Sequence, residues 1–172
     1  MYPYTFTLDD LVIPIYAALD QSQVYEQFGG YTTLRTVNGS GVRQANWKKH
    51  RINLSGNGSI PLGLESLDHA ALHTLKCGVP MSVQSLSNVI TVPTYRRSDV
   101  ALEGYAHLND SGELVETAVG LSVDTATLTI VTGAIAYSVR FWPEFSVFCD
   151  PPQRTINSRT KEYGWTLNCE EA

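Results

Sequence analysis

The chain has 172 residues, 43% hydrophobic and only 17% charged, with a formal net charge of −5. A chain of this size buries about two thirds of its unfolded surface, so one domain, or one domain with an insertion, needs no metal or disulfide to fold. The composition excludes a disordered tail, and the acidic balance argues against general nucleic-acid binding, which draws on a basic excess.

Met1–Leu8 alternates aromatic and small residues and reads as a first strand, ended by Asp9-Asp10. Leu11–Ile15 follows as a second strand or extended arm, which Pro14 keeps out of a sheet centre. Ala17–Phe28 lacks periodicity and reads as a loop with at most one helical turn. After Gly29-Gly30, Tyr31–Val37 is a strand, and Asn38-Gly39 is the dipeptide of a type I′ hairpin turn. Gly41–Lys49 then returns alongside it or stands out as a long protruding hairpin.

From Arg51 to Asn57 the pattern alternates strictly, with Ile52 and Leu54 on one face and Arg51, Asn53 and Ser55 on the other. A period of two marks a half-buried strand. Gly56-Asn57-Gly58 tolerates positive φ and predicts a sharp turn or bulge. Ala70–Cys77 reads as a strand burying Leu72, Leu75 and Cys77, and Val89–Val92 as a short one. Gly104–Leu108 and Glu113–Val119 flank the hairpin loop Asn109–Gly112. Leu121–Val131 alternates imperfectly. Ala134–Trp142 is the best strand, with Ile135, Tyr137, Val139 and Phe141 on one face. Pro143 interrupts it, Phe145–Cys149 resumes, Gln153–Lys161 is a polar loop, and Tyr163–Cys169 is the last strand. About nine to eleven short strands and almost no helix predict an all-β antiparallel sandwich with long hairpin loops. Residues 94–150 are placed to form a second small sandwich inserted into a core made by both ends.

His69, His73 and Cys77 are spaced four apart, which on a helix puts three zinc-type ligands on one face. A strand scatters them, so no metal or cofactor is expected. No nucleophile elbow occurs, and the carboxylate pairs Glu113/Glu116 and Glu170/Glu171 read as a solvated hairpin edge and a frayed terminus. The expectation is no catalysis. Trp142, Tyr2 and Tyr4 are candidate exposed aromatics for stacking on sugar rings. Cys77, Cys149 and Cys169 are odd in number and scattered, which suggests buried thiols in a reducing compartment. Cys149 and Cys169 would pair only if their strands are neighbours. No secretion leader or membrane-spanning stretch is evident, which implies synthesis in the cytoplasm.

Trp47, Lys48, Lys49 and Arg51 form a basic segment around an aromatic, and Arg96, Arg97 and Asp99 form a second charged cluster. Trp and Arg dominate protein–protein hot spots, so both are candidate subunit-contact sites, with intersubunit salt bridges favoured for the second. The alternative for the first, a nucleic-acid patch, needs more interleaved aromatics.

The stretch Trp47-Lys48, Ile52, Ser55-Gly56, Gly58, Ile60-Pro61, Gly63-Leu64 and Leu67-Asp68 resembles the central signature of small structural tail proteins of long-tailed bacteriophages and prophages. Arg96–Asp99, Tyr137–Pro143, Val147-Phe148 with Pro151-Pro152, and Trp165–Leu167 with Glu170-Glu171 extend the resemblance over residues 30 to 171. It rests on turn glycines, prolines and aromatics. It implies a virion protein made in the bacterial host cytoplasm, most plausibly a homo-oligomeric ring at the distal tail or tip, in contact with other tail proteins. It implies no specific nucleic acid and no membrane insertion. A tail-tube or tail-terminator subunit is the runner-up, and a host-glycan-binding module the alternative outside that class.

Overall fold

The computed structural model describes residues 5–109 and 112–172. Among these the regular structure is all β, apart from one 3-10 turn at Ile15–Ala17. In chain order the strands are β1 (Thr7–Leu8), β2 (Leu11–Val12), β3 (Asp20–Phe28), β4 (Tyr31–Arg35), β5 (Gly41–Ala45) and β6 (Lys49–Gly58). They continue with β7 (His73–Lys76), β8 (Met81–Ser85), β9 (Val89–Thr91), β10 (Glu103–Leu108), β11 (Leu114–Thr117) and β12 (Val119–Ser122). The last are β13 (Thr125–Leu128), β14 (Ala134–Phe141), β15 (Glu144–Cys149), β16 (Gln153–Asn157) and β17 (Glu162–Glu171). The predicted strand over residues 1–4, and Asp110-Ser111 of the predicted hairpin loop, lie outside the described residues.

The chain divides into two compact units. One comprises Leu75–Phe145 with the described residues up to Thr7, and the other Leu8–Thr74 with Ser146–Ala172. The first unit is a small sandwich. A four-stranded sheet, β11-β10-β14-β8, and a three-stranded sheet, β12-β13-β9, share one core of Ile90, Val92, Ala106, Ala126, Leu128, Tyr137, Val139 and Phe141. Thr94, the boundary suggested by sequence punctuation, lies inside this unit because β8 pairs with β14 and β9 with β13.

The largest sheet has the order β2-β1-β7-β15-β17-β6-β3, with β16 also pairing with β17. In its centre, β6 and β17 alternate as their sequences require: Ile52 and Leu54 are buried opposite Cys169 and Leu167. Gly56 and Gly58 do not turn the chain, contrary to expectation, and β6 runs straight through them. A Cβ at Gly56 would collide with the Trp165 ring, and one at Gly58 with the backbone of Tyr16 and Ala17. These glycines serve close approach, and the Trp165 indole N–H donates to the Ala17 carbonyl at 2.7 Å.

Several expectations are corrected. Residues 20–28 form a nine-residue strand, β3, instead of a loop, and β16 occupies part of the polar stretch 153–161. Leu72 and Ile135 are exposed. The β10–β14 register shifts between His107 and Leu108, which bulges Ile135 off the core face. The imperfect alternation of Leu121–Val131 conceals a hairpin, β12–β13, turning at Val123 and Asp124. Asp9 and Asp10 both have positive φ, so the type I′ geometry sits between β1 and β2. At Asn38-Gly39 only Gly39 has positive φ, and its N–H bonds to the Thr36 carbonyl at 2.8 Å. That is a type I turn closed by a left-handed glycine, a standard three-residue hairpin loop. Finally, Cys149 and Cys169 face each other across β15 and β17 and form a disulfide, leaving Cys77 as a buried thiol.

Candidate interaction surface

The first candidate segment is the return half of a long ribbon. β3 and β6 pair from Asp20 with Asn57 to Phe28 with Lys49, and β4 and β5 pair from Tyr31 with Ala45 to Arg35 with Gly41. Between these ladders, residues 29 and 30 on the outgoing side oppose residues 46, 47 and 48 on the return. One extra residue makes a bulge, which bends and twists a ribbon. Bonds from the Tyr31 N–H to the Gly29 carbonyl (3.1 Å) and from the Asn46 N–H to the Gly30 carbonyl (2.9 Å) hold it.

Trp47 occupies this bulge. A Cβ on Gly30 would strike its indole, and one on Gly29 its carbonyl oxygen. The Phe28 ring meets the indole edge to face, with centroids 5.5 Å apart. Trp47 is nevertheless 50% exposed. Beside it, a shallow cleft of ≈ 220 Å³ is lined by residues including Phe28, Tyr31, Arg43, Trp47 and Lys48.

Beyond the bulge, all ten strand residues of β4 and β5 are exposed. Cross-strand partners share a face. One face therefore carries Tyr31, Thr33, Arg35, Arg43 and Ala45, with the Arg43 guanidinium 4.4 Å above the Tyr31 ring. The other carries Thr32, Leu34, Val42 and Gln44, and Leu34 and Val42 are about half exposed.

The remaining basic residues of the segment divide. Lys48 is exposed, whereas Lys49 donates to the Ala172 carbonyl. Arg51 is engaged inside the sheet: its Nε and Nη2 donate to Glu170 Oε1 at 2.8 and 2.5 Å, Glu26 lies 3.7 Å from Nη1, and the guanidinium sits 5.1 Å from the Phe28 ring centre.

The second candidate cluster turns inward within its own unit. Arg97 is 8% exposed. Its guanidinium forks onto both oxygens of Asp99 (3.0 and 2.8 Å) and donates to the carbonyls of Cys77 (3.1 Å) and Thr5 (3.3 Å). The hydrogen bond from Arg97 holds the Asp99 carboxyl below its ordinary range, against the opposing effect of burial. Arg96 donates to the Pro93 carbonyl, to Asp124 (2.9 Å) and to the Val123 carbonyl (2.7 Å), which clamps the β12–β13 turn. Arg96 and Arg97 thus form intrachain ion pairs, with Asp124 and Asp99 respectively.

Other expected sites also resolve into structure. Trp142 is 2% exposed and its indole N–H donates to the Gly78 carbonyl, so it offers no platform for a sugar. Tyr2 and Tyr4 lie outside the described residues. Glu170 and Glu171 are not frayed: they end β17 on opposite faces, bound to Arg51 and His50 respectively. His69 bonds to the Cys149 carbonyl at 3.2 Å, away from His73. His73 uses both ring nitrogens, Nδ1 to the Asp9 carboxylate and Nε2 to the Asp68 carbonyl. Burial alone would lower the His73 pKa, but two acceptors on one imidazole favour the protonated ring and raise it above 6.5. Burial likewise opposes ionisation of Asp9, and the Thr74 N–H and His73 outweigh it, lowering its pKa below 3.8.

The feature that motif reading overlooked is β3, which ends its sheet and whose only strand partner among the described residues is β6. A sequence signal for the ribbon exists: from Gln27 to Leu64 there is no Asp or Glu. That stretch nevertheless holds five of the chain's 12 Lys and Arg residues. In comparisons with known proteins, no protein-family model and no curated sequence matches the chain.

Proposed function

We propose that the protein is a non-catalytic structural subunit of a bacteriophage tail, forming a closed homo-oligomeric ring at the distal tail or tip. The observation that carries this reading is the β4–β5 ribbon, exposed on both faces with Tyr31, Leu34, Val42 and Trp47 presented to solvent. A two-stranded ribbon gains little stability of its own in water, and apolar side chains left on both of its faces suit a partner surface. The tail assignment itself rests on the sequence resemblance across residues 30 to 171. A heterologous contact between identical subunits closes into a ring when its rotation allows. A tail-tube or terminator subunit shares these physics and differs in its place along the tail. Mass photometry over a concentration series, with negative-stain images, tests the proposal. Rings support a tip component and stacked rings favour the tube, whereas a particle that stays monomeric throughout, alone and with other tail proteins, overturns the assembly.

A further inference from the structure

We infer that the Cys149–Cys169 disulfide is a redox-operated lock on the seam between β15 and β17. As two thiols the pair leaves the chain folded with a seam that opens, and as a disulfide it holds that seam shut. The inference goes beyond the assembly reading and does not depend on it. Three observations carry it.

The first is the shortness of the seam. β15 and β17 pair over three residues, Val147 with Glu171, Phe148 with Glu170 and Cys149 with Cys169. Backbone bonds flank these pairs, from the Asp150 N–H to the Asn168 carbonyl (2.8 Å) and from the Ala172 N–H to the Ser146 carbonyl (2.9 Å). On its other edge β17 pairs with β6 over eight residues, Tyr163 to Glu170, and Arg51 and His50 of β6 hold Glu170 and Glu171. Opening the seam therefore separates β15 from β17 without disturbing the β6–β17 ladder.

The second is the position of the cysteines. Asp150 and Asn168 form a hydrogen-bonded pair, so Cys149 and Cys169 form the neighbouring non-hydrogen-bonded pair, the register that brings opposite side chains closest. Their Cα atoms are 4.1 Å apart. Both cysteines are buried on a face shared with Val147 and Leu167, and Cys169 lies opposite Ile52 of β6. Thiols at these positions are ordinary core residues, so the strands pair without the bond. Exchange requires attack on an accessible sulfur, so a dissolved thiol or disulfide reaches this pair only when the seam opens.

The third is what the bond encloses. It closes a loop with a sequence separation of 20, which includes β16, whose five residues are all exposed and lean on β17. A stretch with so little buried surface resists opening weakly by itself, and joining its ends removes much of the chain freedom that release would gain.

The lock closes by thiol–disulfide exchange with a small-molecule disulfide such as oxidised glutathione. One cysteine thiolate displaces a small thiol and forms a mixed disulfide. The other thiolate attacks the protein sulfur of that mixed disulfide and displaces the second small thiol. Two protein thiols are oxidised, the small disulfide is reduced to two thiols, and the protons given up by the cysteines end on those released thiols.

The test uses the full chain, equilibrated with oxidised glutathione or with dithiothreitol. Alkylation after denaturation should count one free thiol, Cys77, in the first sample and three in the second. Circular dichroism should show the same fold in both. Amide exchange at residues 146–150 should be about tenfold or more faster in the reduced chain, with residues 134–141 unchanged. Reduction by dithiothreitol should be about a hundredfold slower for the native chain than in denaturing urea. Cys149→Ala with Cys169→Ala should exchange like the reduced chain whether or not reductant is present. Three thiols under oxidised glutathione, equal exchange at residues 146–150 in the two states, or reduction as fast in the native as in the unfolded chain would each overturn the inference. So would loss of the whole fold on reduction, which would make the bond a requirement for folding. None of these results bears on the assembly reading.

Discussion

In the Arg96–Asp99 cluster the guanidinium groups face carbonyls and carboxylates of their own unit, whereas along the β4–β5 ribbon Arg35, Arg43 and Lys48 face solvent. Composition does not separate them, since each is a short run of cations beside aromatic residues. Their acceptors do. Arg97 lies where Cys77 and Thr5 present carbonyls within one compact unit and where Asp99, two residues on, can return a bidentate bond. The ribbon projects past the end of a ladder, and its stretch of sequence contains no acid to receive a cation. An arginine-rich stretch is therefore an interface signal when its own chain leaves it without a carboxylate; Arg35 donates to the Gly39 carbonyl of its own hairpin at 3.2 Å.

The largest expected effect probes the buried side of this contrast. Arg97→Glu removes a buried cation and leaves Asp99 facing a like charge, which should cost about 3–5 kcal/mol in urea unfolding. Arg43→Glu on the ribbon should stay within about 0.5 kcal/mol of wild type. Equal stabilities for the two variants would erase the distinction.

The next effect asks whether a buried ion pair in the ribbon's own unit behaves like Arg97. His73→Ala leaves Asp9 and the Asp68 carbonyl short of a donor, at a cost of about 1–3 kcal/mol. The sign with pH follows from linkage. The His73 pKa is raised by folding, so its contribution is full below 6.5 and is lost as pH rises through the folded value. The Asp9 pKa is lowered, so its contribution is present above 3.8 and is lost as pH falls through the folded value. Thermal midpoints of wild type should decline as pH rises from 6.5 through the raised folded value of His73, and His73→Ala should lack that part of the decline. Parallel curves would show that the pair contributes nothing.

At the ribbon base, Gly30→Ala should force Trp47 from its seat and cost about 1–3 kcal/mol, with a shift in tryptophan emission. Adding Trp47→Ala should recover part of the loss, since the clash is with the indole itself. Additive costs would mean that the bulge, and not the ring, is the constraint. The smallest effect is a gain. Val123 has φ +53, a left-handed conformation that opposes a β-branched side chain, and it is 83% exposed. Val123→Gly should stabilise the protein by about 1 kcal/mol in urea unfolding. A loss instead would show that Arg96 depends on the valine-shaped turn.

The central strands were readable because large apolar side chains recur at every second position, even in β14, where Ala136 and Ser138 on the opposite face are buried as well. Ile52 and Leu54 in β6, Tyr137, Val139 and Phe141 in β14, and Trp165, Leu167 and Cys169 in β17 alternate with polar neighbours. β3 and β16 gave no such signal. Among the described residues β3 has β6 as its one strand partner and buries no residue fully, and every residue of β16 is exposed, so polar side chains are tolerated on both faces. The hairpin at Val123 was hidden because its turn uses a residue that disfavours positive φ. In the candidate surface, the residue types of Trp47–Arg51 and Arg96–Asp99 stood out, but their partners did not. Arg51 meets Glu170, 119 positions along the chain, and Arg97 meets the Thr5 carbonyl, 92 positions away.

By itself, the sequence determined the all-β class, the buried faces of the strongest strands and the cationic character of residues 27–64, because side-chain alternation and charge are local properties. Only the tertiary structure decided which arginines are spent inside the chain, which cysteines pair, and which strand ends the largest sheet. Those outcomes depend on strand order and register, and register joins residues whose separation along the chain says nothing about their separation in space.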